Sequence, residues 1–245
     1  MNTGSIDVGE IIRRTFQIYV DQAPVLMPAA AVVFAISAVF GVLLIAASAG
    51  LALVALVVSL VATTLFTGMV VELVSDVQDG KRDAGAGQLL RAVTPVLGKL
   101  ILVGIVAGIG IAIGFVLIII PGLILATIWS VAAPVVVLER PNGLRALGRS
   151  RELVRGNGWS VFAVILLLVI LVGVVAALLE AGGDAAGTAV GLVVRVIVGI
   201  LTAPISALAA AVLYFELSKA QGGGAPPEEP QLPGFQTGGF PPAAP

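Results

Sequence analysis

Hydrophobic residues along the chain fall into three blocks, each about twice the roughly 20 residues that cross a bilayer as a helix. The first runs from Pro24 to about Val71, the second from Leu100 to Leu138 and the third from Trp159 to Phe215. Each block is interrupted near its middle: at Ser48-Ala49-Gly50, at Pro121-Gly122, and at the polar, glycine-rich Glu180-Ala181-Gly182-Gly183-Asp184. Proline lacks the donor that continues a helix and glycine tolerates turn geometry, so the interruptions read as tight hairpins. Six spans follow, over about 24–47, 51–75, 98–120, 122–138, 159–179 and 188–216. Strands of a β-barrel do not fit, because the runs are too long and lack apolar/polar alternation. Pro134 and Pro204 predict kinks in the fourth and sixth spans.

A short segment mixing arginine with apolar residues precedes each pair of spans: Val8-Gly9-Glu10-Ile11-Ile12-Arg13-Arg14, Ala86-Gly87-Gln88-Leu89-Leu90-Arg91 and Asn142-Gly143-Leu144-Arg145-Ala146-Leu147. Each pair also closes on a glutamate after an apolar run, at Glu72, Glu139 and Glu216. The unit of amphipathic helix, span, hairpin, span and glutamate thus recurs three times. Common ancestry of the three units and shared membrane physics account for this equally well. At 100° per residue the first segment, placed over 5–21, gathers Val8, Ile11, Ile12, Phe16, Ile18 and Tyr19 on one arc, opposite Glu10, Arg13, Arg14 and Gln17. The third gathers Ala146, Leu147, Ser150, Leu153 and Val154, opposite Arg145, Arg149, Arg151, Glu152 and Arg155, with Leu144 out of place. Helices of this kind are expected to lie in the membrane surface.

Composition agrees with a multi-pass reading. Of the 245 residues 59% are hydrophobic and 11% charged, and the mean hydropathy is +1.14; soluble domains carry about 25% charged residues. The absence of His and Cys removes imidazole acid/base catalysis, thiol nucleophiles, disulfides, haem and iron–sulfur ligation and the usual zinc sites. No cofactor is expected, and no carboxylate cluster has metal-ligand spacing. No basic patch interleaved with aromatics points to nucleic acid. The first apolar span is too long for the core of a signal peptide.

Lysine and arginine set orientation. Twelve of the 13 basic residues lie before span 1, between spans 2 and 3, between spans 4 and 5, or after span 6, and the three hairpin turns carry none. Both termini are therefore expected in the cytoplasm, with the protein in the plasma (inner) membrane. The remaining residues, 221–245, hold seven prolines, six glycines, two Glu and no Lys or Arg, and read as a disordered cytoplasmic tail after a membrane domain over 1–220.

Few residues carry candidate chemistry. Arg145, Arg149, Arg151 and Arg155 crowd one short segment and form a candidate contact for phosphate-bearing lipid headgroups, since arginine pairs bidentately with phosphate; the plainer role is a topology determinant. Arg195 is the one basic residue deep inside a span, Lys99 lying at the edge of the third, and needs a partner. Glu180 and Asp184 of the preceding hairpin are within reach as an ion pair at the outer interface. Glu72, Glu139 and Glu216 form a carboxylate cluster if the three units pack about a pseudo-threefold axis, and otherwise pair with neighbouring arginines. Gly104, Gly108, Gly110 and Gly114 make two small-xxx-small pairs and predict close packing within the chain.

The stretch Ile120-Pro121-Gly122, Ala133-Pro134-Val135-Val136-Val137-Leu138-Glu139 and Ala146 through Trp159 resembles the membrane-domain family of glycerophosphoryl diester phosphodiesterases and its stand-alone bacterial relatives. Its most specific element is Arg149-Ser150, Leu153, Gly156 and Trp159; the opening Gly9 to Tyr19 is similar to that family's start. The resemblance covers roughly residues 5 to 220 and implies a membrane module. Catalysis does not carry over, because the chain has no barrel-sized soluble region and none of the histidines such hydrolases use. The sequence thus points to an all-α integral membrane protein: six transmembrane helices as three hairpins, each preceded by a short interfacial amphipathic helix. Its expected role is a non-enzymatic scaffold or subunit contacting anionic membrane lipid, a partner protein or a second copy of itself. The alternative is a component of a small-molecule or lipid transporter.

Overall fold

A computed structural model describes residues 6–45, 49–80 and 85–222; the predicted tail beyond 222 and Ser48 of the first predicted break lie outside the described residues. The described chain forms ten α-helices: α1 (Val8–Asp21), α2 (Ala23–Ile45), α3 (Ala49–Gln78), α4 (Ala86–Val93), α5 (Leu97–Leu117), α6 (Ile119–Ile128), α7 (Ala132–Leu138), α8 (Arg145–Val154), α9 (Gly158–Ala185) and α10 (Thr188–Ala220). Five stretches are long and apolar enough to cross a bilayer: Leu56–Gln78, Ala86–Leu117, Ile119–Leu138, Gly158–Ala185 and Thr188–Ala220. The sixth is α2, whose residues Ala23–Ser37 meet α1 at 82° and meet the same measure together with it.

Local chemistry explains where these helices begin and end. Asp7 caps α1, its carboxylate accepting from the backbone N–H of Gly9 at 2.8 Å and of Glu10 at 3.2 Å, which satisfies donors that have no partner within the helix. The second hairpin turns at Ile118, in extended backbone (φ −160°, ψ 144°), three residues before the expected proline. Pro121 sits in the first turn of α6, where its missing N–H costs nothing. The third hairpin turns at Gly187, with φ 116°, a conformation glycine adopts without strain. Helix α9 therefore runs through Glu180 to Asp184 instead of breaking there. The fourth span is interrupted at Trp129–Val131, between α6 and α7, just before Pro134. Pro204, by contrast, lies inside a continuous α10. A proline leaves the carbonyl four residues back without its helical donor, and nearby the Tyr19 hydroxyl donates to the Leu201 carbonyl at 2.9 Å.

Packing is dense at the end of the bundle that carries the basic residues. Helix α10 is its hub, touching α1, α2, α3, α7, α8 and α9. Fully buried positions include Val70, Val71 and Val74 of α3, Val135 and Val137 of α7, and Leu208, Val212 and Leu217 of α10. The amphipathic helices dock here too. The arc predicted for α8 is the set it buries: Ala146, Leu147, Ser150, Leu153 and Val154. That arc meets protein, whereas the sequence alone placed it against lipid. In α1 burial centres on Ile11, Thr15 and Ile18, with Ile12, Phe16 and Tyr19 half-covered. Helix α4 buries Leu89 and Val93 and continues through a short turn at Thr94–Val96 into α5, so that residues 86–117 form one stretch. At the opposite end Val116 to Ile120 and Leu178 are exposed. Apolar surface of that extent is tolerable against hydrocarbon and not against water.

The two glycine pairs of α5 separate cleanly. A side chain at Gly114 would stand 2.9 Å from the Gly122 backbone, and one at Gly110 would stand 2.6 Å from the Trp129 ring, whereas Gly104 and Gly108 face open space. Gly114→Ala should therefore destabilise the detergent-solubilised protein by about 1–3 kcal/mol through overpacking, while Gly104→Ala leaves the melting temperature unchanged or raises it. Thermal melts of the two variants compare these outcomes directly.

Candidate functional site

The basic end of the bundle is held by ion pairs between elements distant in sequence. Glu216 of α10 accepts from Arg14 of α1 at 2.9 Å and from Lys219 at 3.0 Å, and Arg14 also donates to the Gln78 side chain of α3 at 2.7 Å. Glu139, just past α7, accepts from Nε of Arg149 at 3.1 Å and from the Tyr214 hydroxyl of α10 at 3.0 Å. Glu72 of α3 lies 3.8 Å from Arg140. The three glutamates that close the repeated units thus each take a separate arginine. Among the described residues no group of three or more acidic side chains is placed to hold a metal ion. Two of these arginines come from the amphipathic helices, Arg149 from the helix following Glu139 and Arg14 from the first. The end of the third unit therefore closes back onto the start of the chain.

The four candidate arginines of α8 do not share one fate, and helix geometry explains why. Ser150 points into the protein, donating its hydroxyl to the Ile128 carbonyl at 2.8 Å. At about 100° per residue, Arg149 and Arg145 fall on one flank of that contact and Arg151 falls on the other. Arg155 follows at the end of the helix. Arg149 is spent on Glu139 and also lies 3.6 Å from Glu152. Arg145, Arg151 and Arg155 are exposed, and their side chains make neither ion pair nor hydrogen bond among the described residues.

On the Arg151 flank two cavities adjoin. One, of about 660 Å³, is lined by Gly148, Arg151, Glu152, Val154 and Arg155 of the α8 region and by Ile128. The other, of about 700 Å³, is lined by Ile120, Leu123, Ile124 and Thr127 of α6 and by Asn157, Trp159 and Phe162 at the start of α9. Ile128, Gly156 and Gly158 belong to both. Trp159 is exposed and meets Phe162 edge to face, with ring centroids 5.9 Å apart. This joined groove is basic at one end and apolar at the other. Its walls come from three separate elements, so no local pattern announced it. Tyr214 and Gln78 were likewise missed as hydrogen-bond partners of the ion pairs; a tyrosine two residues before the closing glutamate was the only available signal.

Elsewhere, Arg195 pairs with Asp184 at 2.7 Å, both side chains about half exposed. Glu180 makes no ion pair among the described residues. The Arg195 pair sits on the α9–α10 hairpin, away from the groove, where Gly191 packs so closely on Asp184 that a Cβ would collide with its carboxylate.

Removing one partner of a half-buried pair leaves a charge without compensation. Arg149→Leu should cost about 1.5–3 kcal/mol, the range for hydrogen bonds to charged groups, and Arg145→Leu should cost little. A thermal-melt cycle that adds Glu139→Gln checks this, because the double variant should lose less than the sum of the two singles.

Comparison with known proteins fits this architecture. A UPF0259 membrane protein from Pectobacterium carotovorum subsp. carotovorum (strain PC1) is 31% identical over 121 residues, covering 46% of this chain and 48% of the relative, so the match spans about half the length of that protein. No solved structure matches the chain. Neither finding links it to the membrane domains of glycerophosphoryl diester phosphodiesterases. A family model described as Domain of unknown function (DUF8558) matches residues 11–217, which run from the first helix to the last turn of the hub helix. The chain is a multi-helix membrane protein and belongs to the DUF8558 family.

Proposed function

We propose that this protein is a non-enzymatic membrane module whose basic end contacts anionic lipid on the cytoplasmic side of the plasma membrane. One observation carries the reading. Helix α8 is pinned to the bundle by a buried face, and Arg145, Arg151 and the capping Arg155 are exposed with side chains unpaired among the described residues. Unpaired basic side chains near an anionic leaflet each contribute about 1 kcal/mol of attraction. The concentration of lysine and arginine at one end supports the cytoplasmic orientation. The lack of His and Cys supports a role in binding over one in catalysis.

A transporter component remains a second reading, favoured by the interruption at Trp129–Val131. Discontinuous spans line binding sites in many transporters, and the Ser130 hydroxyl there is buried without a hydrogen-bond partner.

The lipid reading is tested with the full chain reconstituted in mixed bilayers. Spin-labelled phosphatidylglycerol should associate with the protein more strongly than spin-labelled phosphatidylcholine at low salt. The preference should shrink as salt screens the charges, and should fall toward unity when Arg145, Arg151 and Arg155 are all replaced by Ala. Equal association of the two lipids with the unmodified protein would end the reading.

A further inference from the structure

We propose that the groove between α6, α8 and the first turn of α9 is a site for a single anionic phospholipid, its phosphate between Arg151 and Arg155 and an acyl chain along Ile124 and Phe162. The proposal rests on the lipid reading above and narrows it from a charged surface to one built site.

Four observations converge on this occupant. The chemistry of the groove divides along its length, with two arginines at one end and Ile120, Leu123, Ile124 and Phe162 at the other. A ligand that matches both ends carries an anion and a long apolar chain in one molecule. Among the described residues the two arginines have no side-chain partner, while Glu152 on that wall lies 3.6 Å from the guanidinium of Arg149, so the described wall keeps net positive charge. The junction of the two cavities offers polar groups without partners. Asn157 makes no side-chain hydrogen bond among the described residues, and α9 begins there without a side-chain cap. Its first N–H groups add to the attraction for an anion that the arginines establish. Finally, the apolar cavity, at about 700 Å³, falls within the roughly 300–1,000 Å³ of ordinary ligand pockets.

Glycine marks the place to obstruct the groove without disturbing the fold. A Cβ at Gly158 meets nothing within 4 Å, and Gly158 lines both cavities. Gly158→Leu therefore adds bulk at the junction from a position whose Cβ has open space.

The test uses the full chain in nanodiscs of mixed phosphatidylglycerol and phosphatidylcholine, read by native mass spectrometry and by fluorescence. The chain has two tryptophans, so a Trp129→Phe background leaves Trp159 as the sole reporter of brominated acyl chains. One phosphatidylglycerol should remain bound per chain on release, and brominated lipid should quench Trp159. Replacing Arg151 and Arg155 together by Ala should weaken phosphatidylglycerol retention about 25-fold, the product of two basic side chains worth about fivefold each. Arg145→Ala, on the other flank, should leave it unchanged. Gly158→Leu should abolish retention of either lipid and the quenching of Trp159, with an unaltered melting temperature. Inorganic phosphate should not displace the bound lipid; displacement would identify a free-anion site and overturn the proposal. Retention or quenching that survives Gly158→Leu would also overturn it. If the spin-label preference for phosphatidylglycerol persisted in that case, only the groove would fall and the surface reading would stand. Loss of that preference in the unmodified protein would remove both.

Discussion

The hydrogen bond from the Ser150 hydroxyl to the Ile128 carbonyl, 2.8 Å long, ties the two irregular parts of the molecule together. Helix α6 stops at Ile128, and the carbonyls at a helix end have no partner within the helix. Away from water such groups must be met by another part of the protein. Ser150 supplies that donor from α8 and so fixes how α8 is rotated about its own axis. The disposition of the arginines at this end follows from that rotation. Arg149 turns toward Glu139, Arg151 and Arg155 turn toward the groove, and Arg145 faces away from it.

A second consequence is the uneven distribution of packing. The short amphipathic helices, the hub helix α10 and the ends of α3 and α7 make one dense core, with half-buried ion pairs at its rim. The hairpin ends beyond it are covered mainly by their own partners and present Val, Leu and Ile outward. In hydrocarbon there is no hydrophobic gain in gathering those residues, so close contact there relies on small residues such as Gly114 against Gly122. Where charges occur, satisfying them dictates which helices must meet. Arg14 thus brings α1 to both Glu216 of α10 and Gln78 of α3, joining the first part of the chain to its last helix.

Much of the fold was legible because hydropathy and helix periodicity are local properties. The buried face of α8 was readable residue by residue from a 100° projection, since the arc that is apolar in sequence is the arc that finds an apolar neighbour. Turn positions were less legible. The third hairpin moved from the Glu180–Asp184 stretch to Gly187, because polar residues at a membrane surface do not by themselves stop a helix, whereas a backbone turn with positive φ does. Pro121 marked the second turn only approximately, because proline is as comfortable just after a break as within one. The nature of the surface met by the amphipathic arcs was not legible either, since apolar protein and apolar lipid impose the same pattern.

By itself the sequence determined that the chain is helical and able to span a membrane, that basic charge gathers at one end of its spans, and that histidine and thiol chemistry is absent. These follow from composition and from the period of apolar residues. Tertiary structure alone decided which arginines are spent on Glu72, Glu139 and Glu216 and which have no partner among the described residues. It also brought Ile124, Arg151 and Trp159 to the walls of one groove. The reason is geometric: a pairing or a cavity is set by the relative rotation of helices distant in sequence, and no local pattern of residues encodes that rotation.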